Sequence, residues 1–364
     1  MRAVLRRSIL AVSLTALCSS PLAAQWYESA SVLAAPTFTS LTFGSGAASR
    51  TVSQLSLPLV VLLPIGEKFS LDVSTALASS VVTANDSVTS EINGITDTQI
   101  RANYRLGADN VLLTVGINIP TGQYSVPEGQ QEAAGQIGND FLFFPISSMG
   151  NGLAMTGGVA YARPLGTWNL GAGGSARRSS EFAAFSVASE DLRFTPADEY
   201  RLSLTADRPV GDGALSFGLT YSVFGEDVAD TTTYSTGDRI IATMGWSFPV
   251  KGANVFLSGW NLYRLDGQIL GADAPAENVV NVSGAVSIPV GAFIVQPNIE
   301  TRLWQVGGAR AGNLINAGLR LRIPVGSVAL FPQVGYSVGN VYRVEDGSGT
   351  SVAGVRASVT LRVN

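Results

Sequence analysis

The chain contains no histidine. That absence removes Ser-His-Asp and Cys-His catalysis, imidazole metal ligands and a histidine pH switch. Its one cysteine is Cys18, in a segment expected to be removed, so the remainder has no disulfide, thiol chemistry or cysteine zinc site. Lysine is confined to Lys68 and Lys251; the other 21 of 23 basic residues are arginine. Charged residues make up 14%, against about 25% in a typical soluble domain. The net charge of −4 argues against non-specific nucleic-acid binding. Long apolar runs are missing as well. Thr51 to Gly66 is uncharged, but it is short, carries Pro58 and ends in Pro64-Ile-Gly66. A spanning helix needs about 20 mostly apolar residues. What is present is 46% hydrophobic residues and 40 glycines. That composition excludes disorder, and the glycines keep no period of three.

The N-terminus reads as a secretory signal peptide over residues 1–24. Met1 to Arg7 is basic, Ser8 to Ser20 is apolar, and Pro21-Leu-Ala-Ala24 precedes Gln25-Trp-Tyr-Glu28. Lipidation at Cys18 is the competing reading, but Leu17 before it is bulky. Removal takes away three arginines and no acid, so the net charge falls from −4 to −7. Residues 25–364 then form one domain.

Period-2 alternation runs through most of that domain. Gln296, Asn298, Glu300 and Arg302 alternate with Val295, Ile299 and Leu303. Asn316, Gly318, Arg320 and Arg322 alternate with Ala317, Leu319, Leu321 and Ile323. The same pattern covers Gln99 to Leu106, Arg201 to Asp207 and Gly354 to Val363. Many of these strands end alike, at Pro64-Ile-Gly66, Arg105-Leu-Gly107, Pro164-Leu-Gly166, Pro209-Val-Gly211, Pro249-Val-Lys-Gly252, Pro289-Val-Gly291 and Pro324-Val-Gly326. Proline stops ladder pairing, and glycine supplies the positive φ of a tight turn. The spacing of about 43 residues implies eight hairpins. Longer, more acidic connections are expected at 44–50, 84–93, 120–149, 182–197, 226–237, 266–276, 307–311 and 342–349.

Short turns at one end, long loops at the other and an even strand number describe a bacterial outer-membrane barrel. The expectation is therefore an all-β fold: one transmembrane antiparallel β-barrel of about 16 strands, with 14 to 18 open because 147–181 is rich in glycine. Periplasmic turns should be short and extracellular loops long. Lipid offers no partner for backbone N–H and C=O, so the sheet must close. Tyr104, Tyr161, Trp246, Phe248, Phe69, Trp168 and Phe293 flank the tight turns, while Tyr221, Tyr263 and Tyr336 lie toward the loops, as two interfacial belts would. A soluble sandwich or solenoid is the alternative, and it would carry more outward charge.

On the polar side of the strands stand Arg101, Arg105, Arg201, Arg239, Arg302, Arg320, Arg322, Arg356 and Arg362, with Asp72, Asp97, Asp207 and Glu300. The other acids have moved to the loops. One reading is an arginine-lined conduit favouring anions. The other is that the arginines pair with Glu300 and loop carboxylates and brace the wall. The longest loop, Pro120 to Gly150, follows the fifth strand and carries Asp140, Phe141, Phe143 and Phe144. By analogy with porins of 16 strands, it is expected to fold inward and narrow the lumen, because three nearby phenylalanines are costly to expose. Packing on the rim or against another protomer is the alternative. Asp86, Glu91, Asp227, Asp230 and Asp238 lack a calcium-loop spacing and read as solvated. No metal, cofactor or enzymatic activity is expected.

Gly94-Ile-Thr-Asp97, Ala102-Asn-Tyr-Arg-Leu106 and Gly116-Ile-Asn-Ile-Pro-Thr-Gly122 resemble a family of outer-membrane proteins linked to the meta-pathway of phenol degradation, itself distantly similar to long-chain fatty-acid outer-membrane transporters. The resemblance covers about 30 residues. It implies a barrel for uptake of small, partly hydrophobic compounds and names no catalytic residue. The chain enters its first strand within Trp26 to Phe43, without the N-terminal hatch of the fatty-acid transporters. It ends in Asn364, where many barrels present an aromatic to the assembly machinery. The expected function is passive passage of small solutes, anionic or aromatic/hydrophobic. The alternative is a non-conducting structural or surface-binding barrel. Expected partners are the lipid bilayer, small-molecule solutes and the outer-membrane assembly machinery; monomer and homo-oligomer both stay open.

Overall fold

The computed structural model describes residues 30–363 except 47–48, 86, 108–109, 124, 143, 188–189, 231, 270–271 and 327. The expected signal peptide lies outside the described residues, as do Asp86 and Phe143.

Sixteen strands cross the barrel. They are β1 (Ser31–Ala34 and Thr37–Phe43), β2 (Arg50–Ile65), β3 (Phe69–Ala84), β4 (Ser87–Ile95 and Thr98–Leu106), β5 (Val111–Ile119), β6 (Ala154–Leu165), β7 (Trp168–Ser179) and β8 (Glu199–Val210). There follow β9 (Gly213–Phe224), β10 (Arg239–Val250), β11 (Ala253–Arg264), β12 (Glu277–Val290), β13 (Phe293–Val306), β14 (Ala309–Val325), β15 (Val328–Tyr342) and β16 (Gly349–Val363). Each pairs antiparallel with its sequence neighbours. β1 also pairs with β16, Thr39 opposite Arg356, and this closes the sheet. Two strands are interrupted, β1 at Ala35–Pro36 and β4 at Thr96–Asp97.

The seven Gly-containing tight turns expected from the sequence all lie at one end. Their glycines, Gly66, Gly107, Gly166, Gly211, Gly252, Gly291 and Gly326, have φ between 58° and 85°, a region open to glycine without steric cost. The other end carries the long connections, with two corrections. Residues 84–93 are not a loop: β3 passes into β4 through Asn85 (φ 51°) in a tight turn. Likewise 307–311 shrinks to Gly307-Gly308, with φ of 57° and 80°, the mirror-image turn that matches strand twist. The 182–197 connection itself forms strands, Phe182–Val187 and Glu190–Thr195.

The register fixes the two faces. Leu55, Leu77, Leu202 and Leu204 point outward and are each at least 54% exposed, which only a lipid environment tolerates over a whole face. The outward set includes Phe69, Tyr104, Tyr161, Trp168, Trp246 and Phe248 near the tight turns. Trp246 and Phe248 touch, with ring centroids 4.4 Å apart, and Arg208 covers Trp168 at 5.1 Å. Tyr221, Tyr263 and Tyr336 lie on the same outer face toward the loops. A closed barrel with an apolar band between aromatic belts is a bacterial outer-membrane protein; its tight turns are periplasmic and its long loops extracellular. Folded protein should therefore migrate differently in detergent gels before and after boiling. Identical migration would contradict the closed sheet.

Apolar burial is concentrated where a loop meets the inner wall. Leu41, Val52, Val82, Ile92, Leu314 and Val352 point inward near the extracellular end of β1–β4, β14 and β16 and form one buried cluster with the 120–153 connection.

Candidate functional site

The 120–153 connection turns into the barrel, and its base is held by one carboxylate. Asp97 Oδ1 accepts the Gly122 N–H at 3.0 Å, and Oδ2 accepts the Asn151 N–H at 2.7 Å. The loop thus returns to the point where it leaves. Asn118 Nδ2 donates to the same carboxylate at 2.7 Å and to the Gly152 carbonyl at 2.6 Å. The interruption of β4 is what presents Asp97 to these donors. Only glycine fits at 122: a Cβ there would lie 2.1 Å from the Met149 carbonyl oxygen. Thr121 adds a 2.8 Å hydroxyl bond to Thr98. The Gly94-Ile-Thr-Asp97 and Pro120-Thr-Gly122 stretches are therefore two halves of one clasp.

Beyond the clasp, a short helix α1 (Gln131–Ile137) lies on β3 and β4. Ser80 Oγ donates to the Ala133 carbonyl at 3.1 Å, and Ser90 Oγ to the Gly129 carbonyl at 2.8 Å. Arg50 pairs with Glu132 at 2.8 Å. Ala133 and Ile137 are buried against the wall, as are Phe141 and Phe144 further on. Phe141 stacks on Trp304 of β13, with centroids 5.2 Å apart and planes 19° apart. Gly312 of β14 leaves room for that ring, since a Cβ there would meet it at 3.0 Å.

Charged groups anchor the same stretch. Asp140 pairs with Arg264 at 2.8 Å, and Arg264 pairs with Glu277 at 3.2 Å. Glu277 also accepts the Trp304 indole N–H at 2.6 Å. Arg302 donates to the Phe141 carbonyl and pairs with Glu300. Asn281 donates to that same carboxylate at 2.6 Å.

The arginines of the inner face divide into two groups. Arg302 is 4% exposed; the loop covers it, so it braces the loop and does not line the solute path. Arg201 reaches the lumen and pairs with Glu199 at 2.7 Å. Arg105 donates to the Glu67 carbonyl at the periplasmic rim. Arg101, Arg320, Arg322 and Arg356 also point inward and have no ion-pair partner within 4.0 Å among the described residues. Arg320 lies over Phe331 at 4.8 Å. Arg356 flanks a small cleft beside Glu300 and Leu142. The inner face thus holds both ion-paired arginines and arginines without an ion-pair partner among the described residues.

Four charges escaped the sequence reading. Arg177 and Arg178 are adjacent in a glycine-rich strand, so alternation alone does not say which faces in; the register places Arg177 opposite Glu199 on the inner face. Glu199, Arg264 and Glu277 stand at strand ends, just outside the expected loops, where the alternation assigns them no face. Trp304, the partner of Phe141, was legible only as an inward position.

Over the lumen mouth, Val126–Pro127, Phe182–Val187, Glu190–Thr195, Asp227–Ala229 and Thr232–Tyr234 form a five-stranded sheet. Phe194 meets Phe182 edge-on at 5.7 Å and stacks on Tyr234 at 5.9 Å. These rings, with Gln123, Asp140 and Arg264, line a vestibule of about 660 Å³. Asp227 accepts from the Ala197 N–H and the Thr236 hydroxyl, and Asp238 from Tyr221 and the Phe224 N–H, so both tie loops together.

No protein-family model matches the chain, and no curated protein matches it. Among solved structures the chain is similar to several outer-membrane proteins. OmpT, an outer membrane protein of Vibrio cholerae, is 10% identical at a TM-score of 0.44, covering 92% of this chain and 97% of that one. An anion-selective porin from Comamonas acidovorans is 13% identical at 0.42, covering 92% and 99%. An outer membrane channel from Pseudomonas putida F1 is 14% identical at 0.38, covering 92% and 94%. Similarity at this level assigns no role to any residue.

Proposed function

We propose that the protein is a passive channel for small solutes, narrowed by the 120–153 loop and favouring anions. The observation that carries this reading is the asymmetry of the lumen. The loop covers the inner wall of β1–β4 and β13–β16 at its extracellular end, and its charged anchors are spent on pairing. On the neighbouring wall Arg101 faces the lumen opposite Asp72 without an ion pair to it among the described residues, and Arg201 faces the lumen paired with Glu199. Fixed guanidinium charge facing an aqueous passage raises the local anion concentration. The vestibule rings favour solutes with an apolar face. Transport rather than catalysis agrees with a chain that has no histidine base. The folded extracellular sheet favours a second reading, a barrel that binds a partner at the cell surface without conducting.

Single-channel recording in a KCl gradient separates the two. Stable conductance with a reversal potential of anion preference is expected, and substituting Arg320 and Arg322 by glutamine should move that potential toward cations. Cation preference would mean that the acidic loops set the field. No conductance from folded protein would leave the surface-binding barrel.

A further inference from the structure

The inner wall of β4–β8 holds a niche separate from the vestibule, sharing only Asn118 with the loop's clasp. Along one row of the sheet Arg101 stands opposite Gly116, Gly116 opposite Thr156, Thr156 opposite Arg177, and Arg177 opposite Glu199. Two long cations thus flank two small residues. Adjacent strands lie about 4.8 Å apart, so the two arginine backbones are separated by roughly 14 Å. Both line a cavity of about 230 Å³, as do Arg201 and Glu199. Gly116 is its floor. A Cβ there would find only the Ile100 carbonyl at 3.7 Å and Thr156 at 3.8 Å, so the space is open and the backbone tolerates a side chain.

We infer that this niche binds a small organic dianion, a short dicarboxylate, one carboxylate on Arg101 and the other on Arg177. Three guanidiniums face the carboxylate of Glu199 within the niche and that of Asp72, which stands opposite Arg101 at the end of the row, so one positive charge stays uncompensated. Arg201 is already engaged with Glu199. Arg101 and Arg177 have no ion-pair partner among the described residues, and a guanidinium fork takes a carboxylate through two parallel hydrogen bonds. Their approach from opposite ends suits an elongated diacid better than a compact ion. Gln99, Thr156 and Ser175 supply neutral donors and acceptors along the niche. Its volume lies below the ~300 Å³ at which pockets for drug-sized ligands begin, which restricts the solute to a short chain. The inference rests on the reading of the lumen as a solute path.

The test is titration calorimetry of the full, detergent-folded chain with succinate at low ionic strength, with acetate and inorganic phosphate as comparisons. Saturable succinate binding is expected, with acetate and phosphate at least tenfold weaker. R101Q or R177Q should raise the succinate Kd at least tenfold, about 1.4 kcal/mol. G116V fills the floor without changing charge, so it should abolish binding while the KCl reversal potential keeps its sign. Heat-modifiable migration checks that each variant is folded. Phosphate binding as tight as succinate, or G116V binding like the parent, overturns the site. In planar bilayers, succinate should block chloride current saturably in the parent and not in G116V. Conduction without succinate binding overturns the niche and leaves the channel standing. Absence of conduction from folded protein overturns the channel, and calorimetry still decides the niche.

Discussion

Replacing Phe141 and Phe144 together by alanine should release the loop and raise single-channel conductance about twofold or more, because current scales with the narrowest section. The two rings are buried against the inner wall, Phe141 at 1% exposure. Removing a buried phenylalanine typically costs 3–5 kcal/mol. A loss of even 4 kcal/mol shifts the balance between docked and released loop about a thousandfold. Arg302 and Arg264 would still hold the loop backbone and Asp140, so full release also depends on how far those polar anchors act without the stack. The sheet hydrogen bonds are untouched, so the variant should keep its heat-modifiable migration. Limited proteolysis between residues 121 and 150 should appear in the variant and not in the parent. Unchanged conductance together with an uncut loop would show that these rings do not set the loop's position.

The second large effect is expected at Asp97. Its carboxylate accepts three hydrogen bonds, from Asn118, Gly122 and Asn151, and each bond to a charged group is worth roughly 1.5–3 kcal/mol. D97A frees both ends of the loop at once. Open-channel noise should rise, and cleavage should begin near Gly122 and Asn151, away from the helix. D97N is the informative companion. Asparagine keeps one acceptor oxygen but turns an NH2 toward groups that are themselves donors, so it should resemble D97A. If D97N behaves as the parent does, the clasp needs only shape, and the charge is dispensable.

The two positions also show how far the amino-acid order carries. The tight turns were legible because proline and glycine act locally, and the inward arginines of β14 and β16 because period 2 is unbroken there. The loop's aromatic stretch was legible as costly to expose. Its receptor was not: at Val52 and Ile92 the apolar residue faces inward and its neighbours Thr51, Ser53, Glu91 and Asn93 face outward, so the alternation there runs opposite to the polar-inward pattern of the other strands. Nor did the sequence reading show that Asp97 meets Gly122 and Asn151, because that depends on a break in β4 with no proline or glycine at it. The Asn85 turn was missed for the opposite reason. Acidic composition nearby resembled a loop, although asparagine suits the left-handed turn position.

The tight turns have one more consequence. Both lysines, Lys68 and Lys251, fall within or beside them, in the Gly66 and Gly252 turns. Every side-chain amine in the chain therefore sits at the periplasmic rim, and the lumen and extracellular sheet carry none. A lysine-directed surface would engage such barrels at that rim, favouring an array with the mouths facing the same way.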